Sequence, residues 1–359
     1  MLTLRRIIKA TALVCIGMAV SLLMSCQSAT DEGGADSLSV LEWNGYEKLK
    51  YYPDYIARYG GPPVFTFFSD TNDALQRMRA GYPADLTHLC PGQMREAREA
   101  GLIRPLDTSR IPRWGAIMPA LLDLPDVQMD GEYWLAPWEW GYSTVGYNPE
   151  MIDVENPTYD IFIDPRFKGK TALPADITVN MYLAGVIGGW ADPFDPTEAE
   201  MQAAPEIFTK MLENARFLWT DSTQLEQAWA GGDVGISYIY GSASRRMPKE
   251  GLPVVVVEPL LTWMCGLSLS TTGKGSEDRA YDYINAMLDP ASGVALFDEF
   301  NYGHGNGKTV DLLDPDRARE MGVDDPAGFF ARGLFTGATP PAKEAKLYQL
   351  WFEAQAGLD

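Results

Sequence analysis

The 359-residue chain carries 49 acidic and 29 basic side chains, a net charge of −20, which argues against nucleic acid or an anionic membrane face as a partner. Its two histidines, His88 and His304, exclude a multi-His zinc site. With no Gly-x-Ser-x-Gly run, a Ser-His-Asp hydrolase also lacks its parts, so neither catalysis, cofactor nor metal is expected.

Arg5, Arg6 and Lys9 precede an apolar run, Thr11 to Met24, which is shorter than the roughly 20 residues of a membrane span. Residues 1–25 therefore read as a signal peptide, whose loss takes the net charge from −20 to −23. The run ends in Leu23-Met24-Ser25-Cys26, which resembles the lipobox of bacterial lipoproteins, in which the Cys becomes the lipidated first residue. Residues 26–37 have almost nothing to bury and read as a flexible tether. The remaining chain is too long for one typical core and fits two lobes.

Leu38–Trp43 and Pro63–Phe68 read as strands, the second stopping at Ser69-Asp70-Thr71-Asn72, all helix-capping residue types. Asp85–Leu89 is a third strand, closed by Cys90-Pro91-Gly92, with a charged helix over Gln93–Ala100. Such alternation predicts an α/β fold with a mostly parallel sheet, whose ligands sit beyond the carboxyl ends of the strands.

Ala136–Asn148, Ala-Pro-Trp-Glu-Trp-Gly-Tyr-Ser-Thr-Val-Gly-Tyr-Asn, is the unusual stretch. A strand of a plain core seldom carries Trp-Glu-Trp, because a buried carboxylate must find a partner or shift its pKa. It reads either as a strand with one edge exposed to water or as a strand crossing a cleft, and in the second case alternation means that either Trp138 and Trp140 or Glu139 faces a guest. Further on come helices over Ile177–Ile187, Pro205–Asn214 and Gln224–Ala230, and a strand over Val234–Tyr240. There Tyr238 and Tyr240 alternate, and Tyr238 is favoured for the cleft. Two strand-like segments, Leu252–Val257 and Leu260–Leu269, precede a helix over Glu277–Met287 that Asp289-Pro290 stops. Helices at Asp314–Glu320, around Phe329 and over Ala342–Ala354 close the chain. Gly303-His304-Gly305-Asn306-Gly307-Lys308-Thr309 is not a phosphate loop, since Tyr302 stands where the motif's first Gly belongs.

The ordered set of lipobox, Trp43-x-x-Tyr46, Asp85-Leu86, Pro137-Trp-Glu-Trp-Gly141 and Trp263-Met264 resembles the ABC-transporter solute-binding proteins of the bacterial spermidine/putrescine-binding family. The likeness runs from about residue 38 and is faint after Lys308. It implies a two-lobe periplasmic-binding-protein fold of type II, each lobe a mostly parallel sheet flanked by helices. Two crossing strands near 138–147 and 258–266 would join lobe 1 (38–140 plus 264–305) to lobe 2 (141–263 plus 306–359). The resemblance further implies a periplasmic, lipid-anchored monomer that delivers a small solute to an ABC permease in the inner membrane.

A polyamine has a greasy middle and charged ends, so it needs aromatic faces and carboxylates in a partly dry cleft. The resemblance places Trp43, Tyr46, Trp263, Asp176 and Tyr302 at family ligand positions. Cys90 stands where the family has Ser, Gly92 where an aromatic is expected, and Val179 or Asn180 where a second acid would sit. Cys265 takes the place of an amine-binding Asp, and Glu139 or Glu42 is the candidate replacement. Ser69 and Asp70 are candidates for the cleft or for capping the next helix. Cys90 and Cys265 would both lie at cleft-facing strand ends of one lobe, as a disulfide or as two separate thiols. Alternative guests are another amine, an amino-acid-like solute, or an anion held at Gly241-Ser242 and Thr71. A lipid-anchored sensing subunit is the alternative role.

Overall fold

The structure, a computed structural model, describes residues 37–358; the leader, Cys26 and the tether through residue 36 lie outside the described residues, as does Asp359. The chain opens with β1 (Ser39–Trp43), β2 (Val64–Phe68), α1 (Thr71–Arg79), β3 (Leu86–Leu89) and α2 (Pro91–Glu99). The three strands are parallel, with β1 in the middle. Asp70 starts α1 by accepting the Asp73 N–H at 2.9 Å. α2 begins two residues before the expected Gln93, because Pro91 suits a first turn whose N–H has no helical partner.

β4 (Ala136–Tyr147) follows, with all twelve residues buried. The second half is built from β5 (Thr171–Pro174), α3 (Ile177–Ile187), α4 (Glu198–Asn214), β6 (Ala215–Trp219), β7 (Ile236–Tyr240) and α5 (Gly241–Lys249). β8 (Val255–Ser270) leads to α6 (Glu277–Met287), α7 (Pro290–Phe300) and, near the C-terminus, α8 (Pro341–Ala356).

The strand order β2-β1-β3-β8-β4-β7-β5-β6 makes one mixed sheet. Along this order each outer half is parallel and the joins β3–β8, β8–β4 and β4–β7 are antiparallel; the short pairs Ile103–Arg104 with β8 and Gly303–His304 with β4 add further antiparallel contacts beside it. Two hydrophobic cores lie along it. β4 gives Trp138 and Trp140 to the first and Val145 and Tyr147 to the second; β8 gives Val257 and Leu261 to the second and Met264 and Leu267 to the first. Two long strands thus run through both halves of a type II binding-protein fold.

Three expectations change. The two segments expected at 252–257 and 260–269 form the single strand β8, broken by a register shift between Val257 and Leu261. Pro259 sits in that shift, having no N–H for the ladder, and Tyr159 donates its hydroxyl to the Pro259 carbonyl at 2.7 Å. Residues 306–359, expected wholly with lobe 2, divide: Ala318, Met321, Val323 and Phe329 pack in the first core, Leu347, Trp351 and Ala354 in the second. The chain changes side where Leu334–Phe335 pairs in parallel with Leu261–Thr262 of β8. Asp289-Pro290, read as a stop, also starts α7: Asp289 accepts the Ala291 N–H at 2.8 Å.

The Gly303-His304 run is structural. Gly303 and His304 pair with Trp140 and Glu139 of β4, and a Cβ on Gly303 would lie 2.1 Å from the Trp140 ring. His304 is buried between the Met287 carbonyl (Nε2, 2.9 Å) and the Thr309 hydroxyl (Nδ1, 2.7 Å). Burial pushes it down to about 4, so it is neutral at physiological pH.

Candidate ligand cavity

A cavity of about 450 Å³ opens between the two halves, of a size for a small solute. Its walls come from the carboxyl ends of parallel strands: Trp43 at the end of β1, Asp70 after β2 and Cys90 after β3 on one side, Asp176 after β5 and Tyr240 at the end of β7 on the other. This is where open α/β sheets place ligands.

Of the eleven sequence candidates, Trp43, Tyr46, Asp70, Cys90, Glu139, Asp176, Tyr238, Trp263, Cys265 and Tyr302 line the cavity. Ser69 does not. Its N–H donates to Asp73 at 3.1 Å and its hydroxyl to Asp70 at 3.0 Å, so it serves the start of α1. The alternation on β4 resolves in favour of Glu139, while Trp138 and Trp140 are buried in the first core. Glu42, the other candidate replacement acid, is wholly buried behind the wall. Tyr238 and Tyr240 both line the cavity, against the expectation that only one would. Tyr240 is the last residue of β7 and the N-cap of α5, so the pleat no longer dictates its direction. The two rings meet edge to face, centroids 5.7 Å apart.

The aromatic wall is continuous on the first side. Trp263 meets Tyr302 edge-on at 4.7 Å, Tyr302 stacks on Phe300 at 5.4 Å, and Phe300 leans on Tyr46 at 5.2 Å. Cys90 and Cys265 are joined in a disulfide, their Cα atoms 4.1 Å apart. In the β8–β4 register, Cys265 lies directly opposite Glu139. Directly opposed side chains share a face of the sheet. The acid absent at Cys265 is therefore matched by one on the neighbouring strand.

Five carboxylates line the cavity: Asp70, Glu96, Glu139, Asp176 and Glu344. No Lys, Arg or His is among the described lining residues. Glu139 is 3% exposed, and Tyr46 donates its hydroxyl to Oε2 at 2.7 Å. Burial pushes Glu139 up to about 7, against the pull of His88 and of the Tyr46 hydroxyl. Tyr46 itself is raised by burial and by Glu139 beside it.

Asp176 caps α3, accepting the N–H groups of Thr178 (2.9 Å) and Val179 (3.4 Å). It opens to the cavity yet is walled by protein. That burial, with Asp70 facing it, raises its carboxyl despite the two N–H groups. Glu344, in the first turn of α8, is raised by burial and by Glu96 and Asp176, although Asn72 and Thr178 pull it down. Glu96 is paired with Arg79, whereas Asp70, Glu139, Asp176 and Glu344 have no Lys or Arg partner among the described residues.

Other lining residues escaped the sequence reading. Thr178 and Tyr182 project from one side of α3 at helical spacing, beside Val179, a signal available in the sequence. Glu344 and the segment Thr336–Thr339 gave none, because their place depends on the parallel pairing at Leu334–Phe335. Gly92, where an aromatic is expected, lines the cavity against that segment: a Cβ there would lie in ordinary contact, 3.4 Å, with the Gly337 carbonyl oxygen. Asn180 is buried and donates to the Pro174 carbonyl at 2.7 Å, so of the pair only Val179 reaches the cavity. Among the described residues, no group of three or more His, Cys, Asp or Glu is arranged to hold a metal, and no helix is long and apolar enough to cross a membrane.

The chain is 22% identical over 370 residues to the putrescine-binding periplasmic protein PotF of Escherichia coli, covering 95% of this chain and 97% of that one. Among solved structures it is similar to a putative spermidine/putrescine ABC transporter from Listeria monocytogenes (TM-score 0.77, 20% identity, 89% of this chain and 99% of that one). It is also similar to the binding protein MotA of A. tumefaciens in complex with glucopine (TM-score 0.69, 17% identity, 89% and 98%). A profile described as bacterial extracellular solute-binding protein matches residues 64–311, and the chain belongs to that family of ABC-transporter solute receptors.

Proposed function

We propose that the chain captures a small organic cation carrying two or more amino groups, a polyamine such as putrescine or spermidine, and hands it to a permease. One observation carries this reading: a 450 Å³ cavity with aromatic walls, five carboxylates and, among the described lining residues, no Lys, Arg or His. In a partly dry space an ammonium gains both a carboxylate partner and the face of an aromatic ring. Glu139 is the partner for one ammonium, taking the role that the Asp replaced by Cys265 has in the resembling family. Asp176, with Asp70 and Glu344 near it, is the partner for the other. Trp43, Trp263 and Tyr302 cover the methylene chain between them, and Tyr46 steadies Glu139. The mature protein is held at the membrane by a lipid on Cys26. Metabolic labelling with palmitate, lost in Cys26→Ala, tests the anchor.

The function is tested by calorimetric titration of the chain from Gln27 with putrescine and spermidine at pH 8, on protein first stripped of carried-over ligand. Saturable binding at micromolar or tighter affinity is expected. A folded protein giving no heat with either compound overturns the reading. The second reading, a zwitterionic or anionic guest, is favoured by Ser242 in the first turn of α5 and by the glucopine-bound neighbour, but it lacks a lining cation for a carboxylate.

A further inference from the structure

Behind the inner wall of the cavity runs a dry chain of polar groups that solute capture alone does not require. Glu42 on β1 and His88 on β3 are wholly buried. His88 Nδ1 meets Glu42 Oε1 at 2.5 Å. Its Nε2 faces Glu139 Oε1 at 3.6 Å, beyond hydrogen-bond reach, and neither it nor Glu42 Oε2 has a hydrogen-bond partner among the described residues. Tyr46 ends the chain by donating to the other oxygen of Glu139.

Two carboxylates and one imidazole make an odd charge count. Glu42 with a protonated His88 is a neutral pair, and a charge on Glu139 is the surplus, which burial makes costly. Burial alone lowers His88, but Glu42 and Glu139 outweigh it and hold the imidazole above its usual range. The surplus sits at the cavity wall, where a guest can reach it.

Every other titratable group that faces this chain keeps its proton state between pH 6 and 8. Tyr46, Tyr51 and Tyr302, near Glu139, and Tyr52 and Tyr283, near Glu42, are all raised by burial. Cys265, opposite Glu139 on β8, is locked in its disulfide. His304, opposite Glu139 on the other flank, is neutral down to about 4.

Building on the reading of a cationic guest, we propose that His88 and Glu42 are positioning residues that make Glu139 exchange a proton for the guest's positive charge. The Glu42–His88–Glu139 triad holds one more proton with the cavity empty than with it filled. On binding, the O–H bond of the Glu139 carboxyl breaks, the carboxylate keeps the electron pair, and the proton leaves through the cavity to solvent buffer. No other bond changes. His88 holds the remaining proton and stabilises the carboxylate formed. A proton and a cation competing for one carboxylate make affinity fall tenfold per pH unit once the pH is below the carboxyl's own value. With that value about 7, putrescine binds roughly 30-fold more weakly at pH 5.5 than at pH 8.

Two measurements on the ligand-free chain from Gln27 test this. With two histidines, the imidazole nitrogen spectrum of ¹⁵N-labelled protein is simple to assign. At pH 7 one imidazolium and one neutral ring are expected, the imidazolium vanishing in His88→Gln; two neutral rings overturn the proposal, whatever the guest. Calorimetry with putrescine at pH 5.5, 7 and 8, in buffers of low and high ionisation enthalpy, should show proton release near pH 7 and almost none at pH 8. His88→Gln moves the midpoint of release upward, because the carboxylate loses its positive neighbour. Glu42→Gln, which keeps an acceptor for His88 but removes the second negative charge, leaves Glu139 as the imidazolium's partner and moves the midpoint the opposite way, downward; it serves if the first variant does not fold. Affinity independent of pH in the wild type overturns the coupling and leaves the cationic guest standing. Absence of heat with putrescine or spermidine at pH 8 overturns the guest reading instead, and the imidazole spectrum still decides the charge of His88.

Discussion

At one end of the cavity Glu139 is enclosed by tyrosine, tryptophan and histidine, while at the other Asp70, Asp176 and Glu344 stand at the first turns of α1, α3 and α8. Asp70 and Asp176 have helix N–H groups as partners and Glu344 has the side chains of Asn72 and Thr178, and each helix start carries partial positive charge that favours an anion. The inner acid has one hydroxyl and an imidazole out of hydrogen-bond reach. Kinship of residue type therefore hides a difference in kind. The inner end offers one strong, dry contact, and the outer end offers several shared, wetter ones that salt screens.

The largest effect expected from perturbing this contrast is on stability. The Cys90–Cys265 disulfide closes a loop of 175 residues beside Glu139. On the chain-entropy account, replacing both cysteines by alanine costs about 5 kcal/mol, read from urea unfolding. A loss much below that shows that the inner end is held by packing instead.

Next comes Glu139→Gln, expected to weaken putrescine binding about 100-fold, or ~3 kcal/mol, without lowering the melting temperature, since a costly buried acid is removed. Acid sharpens the contrast between the two buried histidines. His304, low at about 4 when folded and ordinary when unfolded, contributes stability above pH 6.5 that is lost as the pH falls to 4. The loss is ~3 kcal/mol, and His304→Gln should flatten it in urea titrations at several pH values. The smallest effect belongs to the outer end. Asp176→Asn keeps the α3 cap and leaves Asp70 and Glu344 in place, so a loss of about fivefold is expected, fading in high salt. If Asp176→Asn cost as much as Glu139→Gln, the two ends would not differ as described.

The sequence carried the parts whose causes are local. The ends of α3 and α6 were readable from caps and periodicity, and Trp43, Asp176 and Trp263 were placed at the cavity by strand ends and by likeness to a family. What was not readable depends on pairing at a distance. The register that sets Cys265 against Glu139 decides which acid, Glu139 or Glu42, reaches the cavity. A strand that ends at Tyr240 lets two alternating tyrosines face one space. The pairing at Leu334–Phe335 brings Thr336–Thr339 and Glu344 to the wall, in a region whose own sequence shows little resemblance to the family. Asp289-Pro290 shows a further limit, since the same two residues end one helix and begin the next.

The central claim is that charge selects the guest. Paired calorimetric titrations of the ligand-free chain at pH 8 with putrescine, with 1,4-butanediol and with succinate test it most directly, because the three share a four-carbon chain and differ in their ends. Binding of putrescine alone is the predicted result. Binding of succinate, or of the diol as tightly as the diamine, would contradict it.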